Sequence, residues 1–553
     1  MKIMLGFIFI IFSFVLYHNP LAQQVGYDEI SRKDKPAFDE FLGVNSVRES
    51  TIEMIRDQYR VATYHRIFAM DAYLFTGEEI VVDRRGNNLK VDLSIPHDEY
   101  PNDKMGFNPS KGAGGFNFDE FLLRMKENGL HSIPVLARNL LYANVPENNI
   151  INVWQLPYDN GGNPEDPMSY KAYSSFLYQF AARYGKNKFR NEGGTIDPAT
   201  LKLTDSNEPK AGLDLVYAIE PGNEMDKDWI TDKEQMTPPR MAAFLSAAID
   251  GHMGQMGPGH GIRTADPEMK ILFPGPIDIK PDYILAVRDE ILKLRANAKE
   301  LGYPVNPFEN FVMTAHIYPF KGGRAQKGEG GEVIENTDIV TKSLEFVAKM
   351  KEAFDGCEVY LTEIGYDKVV NAHSQLGTPA TLSDPVGSHQ ISTYSQAKHI
   401  SRLIMNVFAT GYDKMFLFTL KDPAMIGHSG YKVKFSTSGL IRKNGVKDHS
   451  WFAVNTMRHR LKGFVFDSLE EQGDLRVMRL KNGEKMAVVT WLTSNSDATW
   501  KGYTLDLGDN YNKIKLIKLE DNQPLGRESL LAEDSETVEL TVEEFPKIVI
   551  AEN

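Results

Sequence analysis

Three Asn-Glu pairs punctuate the chain, at Asn191-Glu192, Asn207-Glu208 and Asn223-Glu224. The third lies in the stretch AIEPGNEMDKDW, residues 218–229, directly behind an apolar run formed by Leu213, Leu215, Val216, Tyr217, Ala218 and Ile219. Another acid, Glu363, closes a second apolar run in VYLTEIGYD. An acid at the end of an apolar run is either a solvated turn residue or a group delivered to a reaction. Two such carboxyls about 5–5.5 Å apart can cleave a glycosidic bond with retention, one protonating the leaving oxygen while the other attacks the anomeric carbon. The dipeptide does not choose among the three pairs. Position in the fold must.

The elements that would position these acids alternate along most of the chain. Strand-like runs fall at 41–45, 59–68, 131–138, 213–220, 269–275, 310–319, 358–363 and 414–420, in the mixed aliphatic and aromatic composition of parallel strands buried on both faces. Helical patterns separate them. Phe118, Phe121, Leu122 and Met125 share one face behind a capping Asn117, with Gly129 past the end. TPPRMAAFLSAAID (237–250) opens on a Thr cap and a proline in the first turn, and 342–354, 396–410 and 448–463 are also helical. Eight strands, each followed by a helical segment, predict an α/β fold, a (β/α)8 TIM barrel over 36–462. Residues 463–553 change to short alternating strands, which predicts a C-terminal antiparallel β-sandwich, with Val488 and Trp491 packing it onto the barrel.

Reactive side chains of such a barrel sit at the C-terminal ends of its strands. Glu192 and Glu208 lie in the polar loop before the fourth strand and approach its wrong end. Glu224 leaves the fourth strand at the correct end, and Glu363 ends the seventh. Strands four and seven stand on opposite sides of the barrel axis, so the two acids can flank one bond.

With the acids so placed, the sequence resembles the retaining glycoside hydrolases of clan A, the barrel enzymes that include cellulases, β-xylosidases and β-galactosidases. EPGNE is similar to the family's Glu-x-x-Asn-Glu, and LTEIG resembles its nucleophile segment. AHIYPF supplies His316 and Tyr318 in the manner of the family's His-x-Tyr, and Arg66 resembles the arginine that supports the nucleophile. The resemblance implies Glu363 as nucleophile, held ionised by Arg66 and Tyr318, and Glu224 as acid/base, with its pKa raised by the charge of Glu363. It also implies Asn223 on the sugar 2-OH and His316 beside the acid/base, whereas Glu220 reads as an arginine partner. One departure stands out. The family commonly ends strand eight on a tryptophan that floors the sugar site, and FLFTLKD offers Phe418, Leu420 and Lys421 instead.

The bulk properties bound the rest. A chain of 553 residues has room for two or more domains, and a net charge of −13 argues against a phosphate-backbone partner. Lys2 and the apolar run Ile3–Tyr17 predict a signal peptide over 1–22, hence an exported, periplasmic or secreted protein without stable membrane insertion. Cys357 is the sole cysteine and reads as a small buried residue. His65 and His316 are the histidines placed at the barrel mouth, too few for a metal-dependent hydrolase, so no metal and no cofactor is expected. Trp154 and Trp229 lie in loops able to line a cleft, Trp229 the better placed. Lys421 with Lys321, Arg324 and Lys327 could meet sulfate or carboxylate groups; otherwise a neutral β-glucan or galactan fits. Insertions over 70–117 and 139–168 favour an endo-acting monomer on a polysaccharide. The alternatives are an exo-acting β-glycosidase on oligosaccharides and a non-catalytic glycan-binding protein on the same scaffold.

Overall fold

The structure is a computed structural model. It describes residues 36–46, 51–68, 75–76, 81–82, 88–90, 106–110, 116–136, 150–152, 156–159, 161–204, 207–227, 235–320, 331–369, 390–423, 435–519 and 523–553. The expectations for the signal segment, Trp154, Trp229, Lys321, Arg324 and Lys327 concern residues outside these.

Strand and helix alternate eight times: β1 (Leu42–Ser46), α1 (Ile52–Val61), β2 (Tyr64–Ile67), α2 (Phe118–Glu127), β3 (His131–Pro134), α3 (Lys171–Tyr184), β4 (Ala218–Ile219) and α4 (Pro238–Asp250). β5 (Lys270–Leu272), α5 (Pro281–Leu294), β6 (Phe311–His316), α6 (Ile339–Ala353), β7 (Glu358–Ile364), α7 (Thr393–Ala409), β8 (Lys414–Leu417) and α8 (His449–Arg460) complete the set. The eight strands form one sheet in the order β3-β2-β1-β8-β7-β6-β5-β4, and neighbouring strands pair in parallel. A parallel bridge between Val135 and Glu220 joins the two ends of that order, so the sheet closes into the barrel. Tyr217 N on Ser132 O at 2.8 Å and Leu136 N on Glu220 O at 2.8 Å flank the seam.

The barrel is filled rather than hollow. Tyr64, Ile133, Ala218, Leu272, Val312, Tyr360 and Phe416 pack as one inner cluster. Gly43 is required there, because a Cβ would come within 2.5 Å of the Phe416 ring. Two expectations need correction. The run 59–68 is not one strand, since α1, capped by Thr51 on Met54 N, extends to Val61. Thr237 does precede α4, but its side chain makes no cap bond.

β9 (Val465–Gln472), β10 (Leu475–Asn482), β11 (Lys485–Leu492), β12 (Thr499–Lys518), β13 (Arg527–Glu543) and β14 (Lys547–Glu552) form an antiparallel sheet in the order β9-β10-β11-β14-β12-β13. The long β12–β13 hairpin carries register breaks, one between Asp506 and Tyr511. Leu505, Val538, Leu540 and Val542 from it enclose a second core with Val477, Val488 and Val549, which makes the unit a sandwich. The opposite face, with Met478, Leu480, Val489, Trp491 and Ile548, joins the barrel's core. Trp491 therefore docks the sandwich as expected, while Val488 points into the sandwich interior. Polar clamps back this contact: Trp491 Nε1 donates to Glu335 Oε1 at 2.8 Å, and Lys398 Nζ to Glu544 Oε2 at 2.5 Å.

Candidate active site

Residues from the ends of β1, β2, β4, β6 and β7 converge at one end of the barrel. Arg66, on β2, is wholly buried and spans the site. Its Nε and Nη2 grip Glu220 at 2.5 and 2.9 Å, and Nη1 donates to Asn45 Oδ1 at 2.9 Å. Nη1 also donates to Glu363 Oε1 at 2.8 Å, and Nη2 to Asn223 Oδ1 at 2.7 Å. Burial works against its charge, yet Glu220 and Glu363 outweigh that and hold its pKa above the usual value. Glu220 is thus the arginine partner that its position suggested.

Glu363 is held on both oxygens, Oε1 by Arg66 and Oε2 by the Tyr318 hydroxyl at 2.8 Å. Such fixation suits a carboxylate that must attack from one direction. Tyr318 itself stays protonated, since burial followed by the charges of Glu363 and Glu224 raises its pKa far above the ordinary phenol value.

Glu224 follows β4 with φ +46°, in the left-handed region where side chains other than glycine are strained. Its N–H donates to Gly275 O at 2.8 Å, and His316 Nδ1 lies 3.1 Å from its Oε1. Lys227 Nζ stands 3.9 Å from its Oε2. Burial pushes the Glu224 carboxyl up, but the hydrogen bond and charge of His316, then Lys227 and Arg66, hold it below the usual carboxylate range. The expected upward shift by Glu363 is therefore reversed, because the His316 hydrogen bond and the neighbouring positive charges of Lys227 and Arg66 outweigh it. An oxygen of each acid and His316 Nδ1 all lie within 4.8 Å of one another.

Sequence reasoning missed several supports. Asn45, next to last in β1, ties Arg66 to β7 and β8 through Nδ2 on Thr362 O and Leu417 O, at 2.8 and 3.4 Å. Its signal was an asparagine closing an apolar run. Gly275 leaves room for the His316 ring, since a Cβ there would meet Nε2 at 2.3 Å. Lys227, three residues past Glu224, lies in DKDWITD, whose charge reads from sequence as solvated, yet the residue is buried beside the acid.

Other expectations fall elsewhere. His65 turns away from the mouth toward Phe121 and pairs with Ser46, and burial takes its pKa down to about 3, so it is neutral. Lys421 is half-buried and its backbone bridges to Ile441. Asn223 commits its carbonyl oxygen to Arg66, so a contact to a sugar would come from its amide nitrogen. Where a tryptophan was absent at the end of strand eight, Phe418 stands edge-on to Tyr318 and Phe68, at 6.3 and 6.0 Å between ring centres.

No protein-family model matches this chain, and no curated protein matches it. Solved structures do match its fold. A family 39 glycoside hydrolase from the gut symbiont Bacteroides cellulosilyticus aligns with a TM-score of 0.54 and 13% identity, covering 94% of this chain and 81% of that one. A GH39 enzyme from Xanthomonas axonopodis pv. citri aligns at 0.52 and 14% identity, over 94% of this chain and 95% of the other. A bifunctional glucanase-xylanase from a metagenome library aligns at 0.51 and 11% identity, over 93% and 96%. The chain therefore shares the barrel-plus-sandwich fold of glycoside hydrolases.

Proposed function

We propose that this chain is a retaining glycoside hydrolase acting on β-linked sugars by double displacement. The observation that carries the reading is the pair Glu224 and Glu363, delivered from β4 and β7 with oxygens within 4.8 Å. That spacing suits a nucleophile and an acid/base in one bond's reach, and is shorter than the roughly 6.5–9.5 Å that leaves room for water in inverting enzymes.

Glu363 attacks the anomeric carbon while Glu224 gives its proton to the departing oxygen. Once the glycosyl ester has formed, the charge on Glu363 is gone. Glu224, now a carboxylate beside His316 and Lys227, takes a proton from the incoming water. Arg66 and Tyr318 keep the nucleophile aimed throughout. Asn223, fixed by Arg66, offers its amide to the 2-OH.

We further propose export, endo action on a polysaccharide and a monomeric state, from the leader-like start and the long insertions described above. Proton NMR of the first-formed product anomer tests the reaction. Retention supports the reading, and an inverted product refutes it.

A further inference from the structure

The chain just past β7 also serves the site. Four residues past Glu363, Asp367 turns its buried carboxylate to the segment that follows β8: Oδ2 accepts from Phe435 N at 2.7 Å and Oδ1 from Thr437 N at 3.3 Å. Lys368 adds a backbone bond to Thr437 O at 3.1 Å. Its fully buried ammonium meets Asp422 Oδ1 at 2.9 Å and Asp448 Oδ2 at 3.3 Å, and also donates to Gly439 O. Asp422 returns the contact by accepting from Gly439 N at 2.7 Å. Residues 435–439 are thus strapped to the segment just after β7 by charge-assisted bonds at both ends.

The strap delivers one side chain to the site. Phe435 adopts φ +67°, a conformation that a phenylalanine keeps only where its surroundings impose it. Its half-buried ring lies 4.5 Å from the Tyr318 ring and 5.9 Å from that of Phe418. Tyr318 in turn donates to Glu363. Burial pushes the Asp367 carboxyl up to about 7, against the pull of the two N–H groups and of Lys368. An acid kept buried against that resistance, with both oxygens spent on one loop, serves the loop.

We propose that Asp367 is a positioning residue of the active site, seating Phe435 against Tyr318 so that the tyrosine hydroxyl stays on Glu363 and the Phe435 ring forms part of the cleft wall. The mechanical link stands on the contacts alone; its catalytic consequence rests on the glycosidase reading.

The test uses the full-length chain and two readouts. Hydrogen exchange needs no substrate. Asp367→Asn keeps the shape but replaces one acceptor oxygen by a donor, so exchange over 435–439 and 317–320 should quicken about tenfold, the effect of one lost hydrogen bond, while 485–492 in the sandwich stays unchanged. Kinetics on nitrophenyl β-glycosides should show kcat lowered roughly tenfold by Asp367→Asn and by Phe435→Leu alike, with the double variant no slower than either and Phe435→Tyr restoring the rate. Faster exchange confined to 435–439, with kcat and KM unchanged, overturns the proposal. A chain that cleaves no glycoside yet links exchange at 435–439 to 317–320 refutes the glycosidase reading and leaves the strap standing.

Discussion

The Tyr318 hydroxyl donates to Glu363 Oε2 at 2.8 Å, on the oxygen opposite the one that Arg66 holds. A hydrogen bond to a charged group is worth about 1.5–3 kcal/mol. Tyr318→Phe should therefore lower kcat by roughly 10- to 150-fold while the ring packing survives. Steady-state kinetics decides, and a variant with unchanged kcat would mean that the hydroxyl does not orient the nucleophile.

Arg66 and Glu220 are both fully buried, and their pairing carries structure as well as function. Removing Glu220 strips two bonds from the buried guanidinium and leaves Glu363 as its one carboxylate partner. Glu220→Ala is expected to cost about 3–5 kcal/mol in urea unfolding. Glu363→Gln, which leaves Arg66 its Glu220 partner, should cost less than half as much while abolishing turnover. Equal losses of stability would show that Glu363 is the structural partner.

The pH dependence follows from the cations around Glu224. Its carboxyl lies below the usual range, so the protonated form that donates to the leaving oxygen becomes scarcer as pH rises through that low value. The kcat/KM of the free enzyme should accordingly climb as the solution is made acidic. Lys227→Met removes a positive charge 3.9 Å from Oε2, which disfavours the carboxylate and raises its pKa. The basic limb of kcat/KM should move to higher pH. A limb that stays in place, or moves to lower pH, would exclude Glu224 as the acid.

His316 Nδ1 lies 3.1 Å from Glu224 Oε1 and 3.7 Å from Glu363 Oε2. Ligands about 2.0–2.2 Å from a tetrahedral zinc ion are roughly 3.3–3.6 Å apart, a spacing that the two distances from His316 Nδ1 bracket. Added Zn2+ should inhibit competitively with substrate and be reversed by a chelator. His316→Gln should weaken that inhibition by about 10-fold or more. Non-competitive inhibition, unchanged in the variant, would place the ion elsewhere.

The barrel was legible because its period is carried by alternating apolar runs and helical faces, and because capping signals such as Asn117 mark real termini. Arg66, Asn223, Glu224, His316, Tyr318 and Glu363 were legible for a related reason: each closes or follows a strand, where a polar side chain after apolar residues is conspicuous. Asp367 and Phe435 escaped, since nothing local records that residues 68 positions apart share a hydrogen bond. Val488 was misassigned for a simpler cause. It stands three residues from Trp491 on one strand, and an odd separation puts two side chains on opposite faces. The strand-two run was overextended because Tyr59, Val61 and Thr63 have β-rich composition, whereas tertiary packing keeps the first two in α1.

The central claim is that Glu363 forms a covalent bond to the sugar. An activated 2-deoxy-2-fluoro β-glycoside slows release of the intermediate and lets mass spectrometry of the digested chain locate the label. The account predicts one sugar per chain, on Glu363, with no label in Glu363→Gln and continued labelling in Glu224→Gln. Label on Glu224, or hydrolysis that proceeds without any covalent adduct, would contradict it.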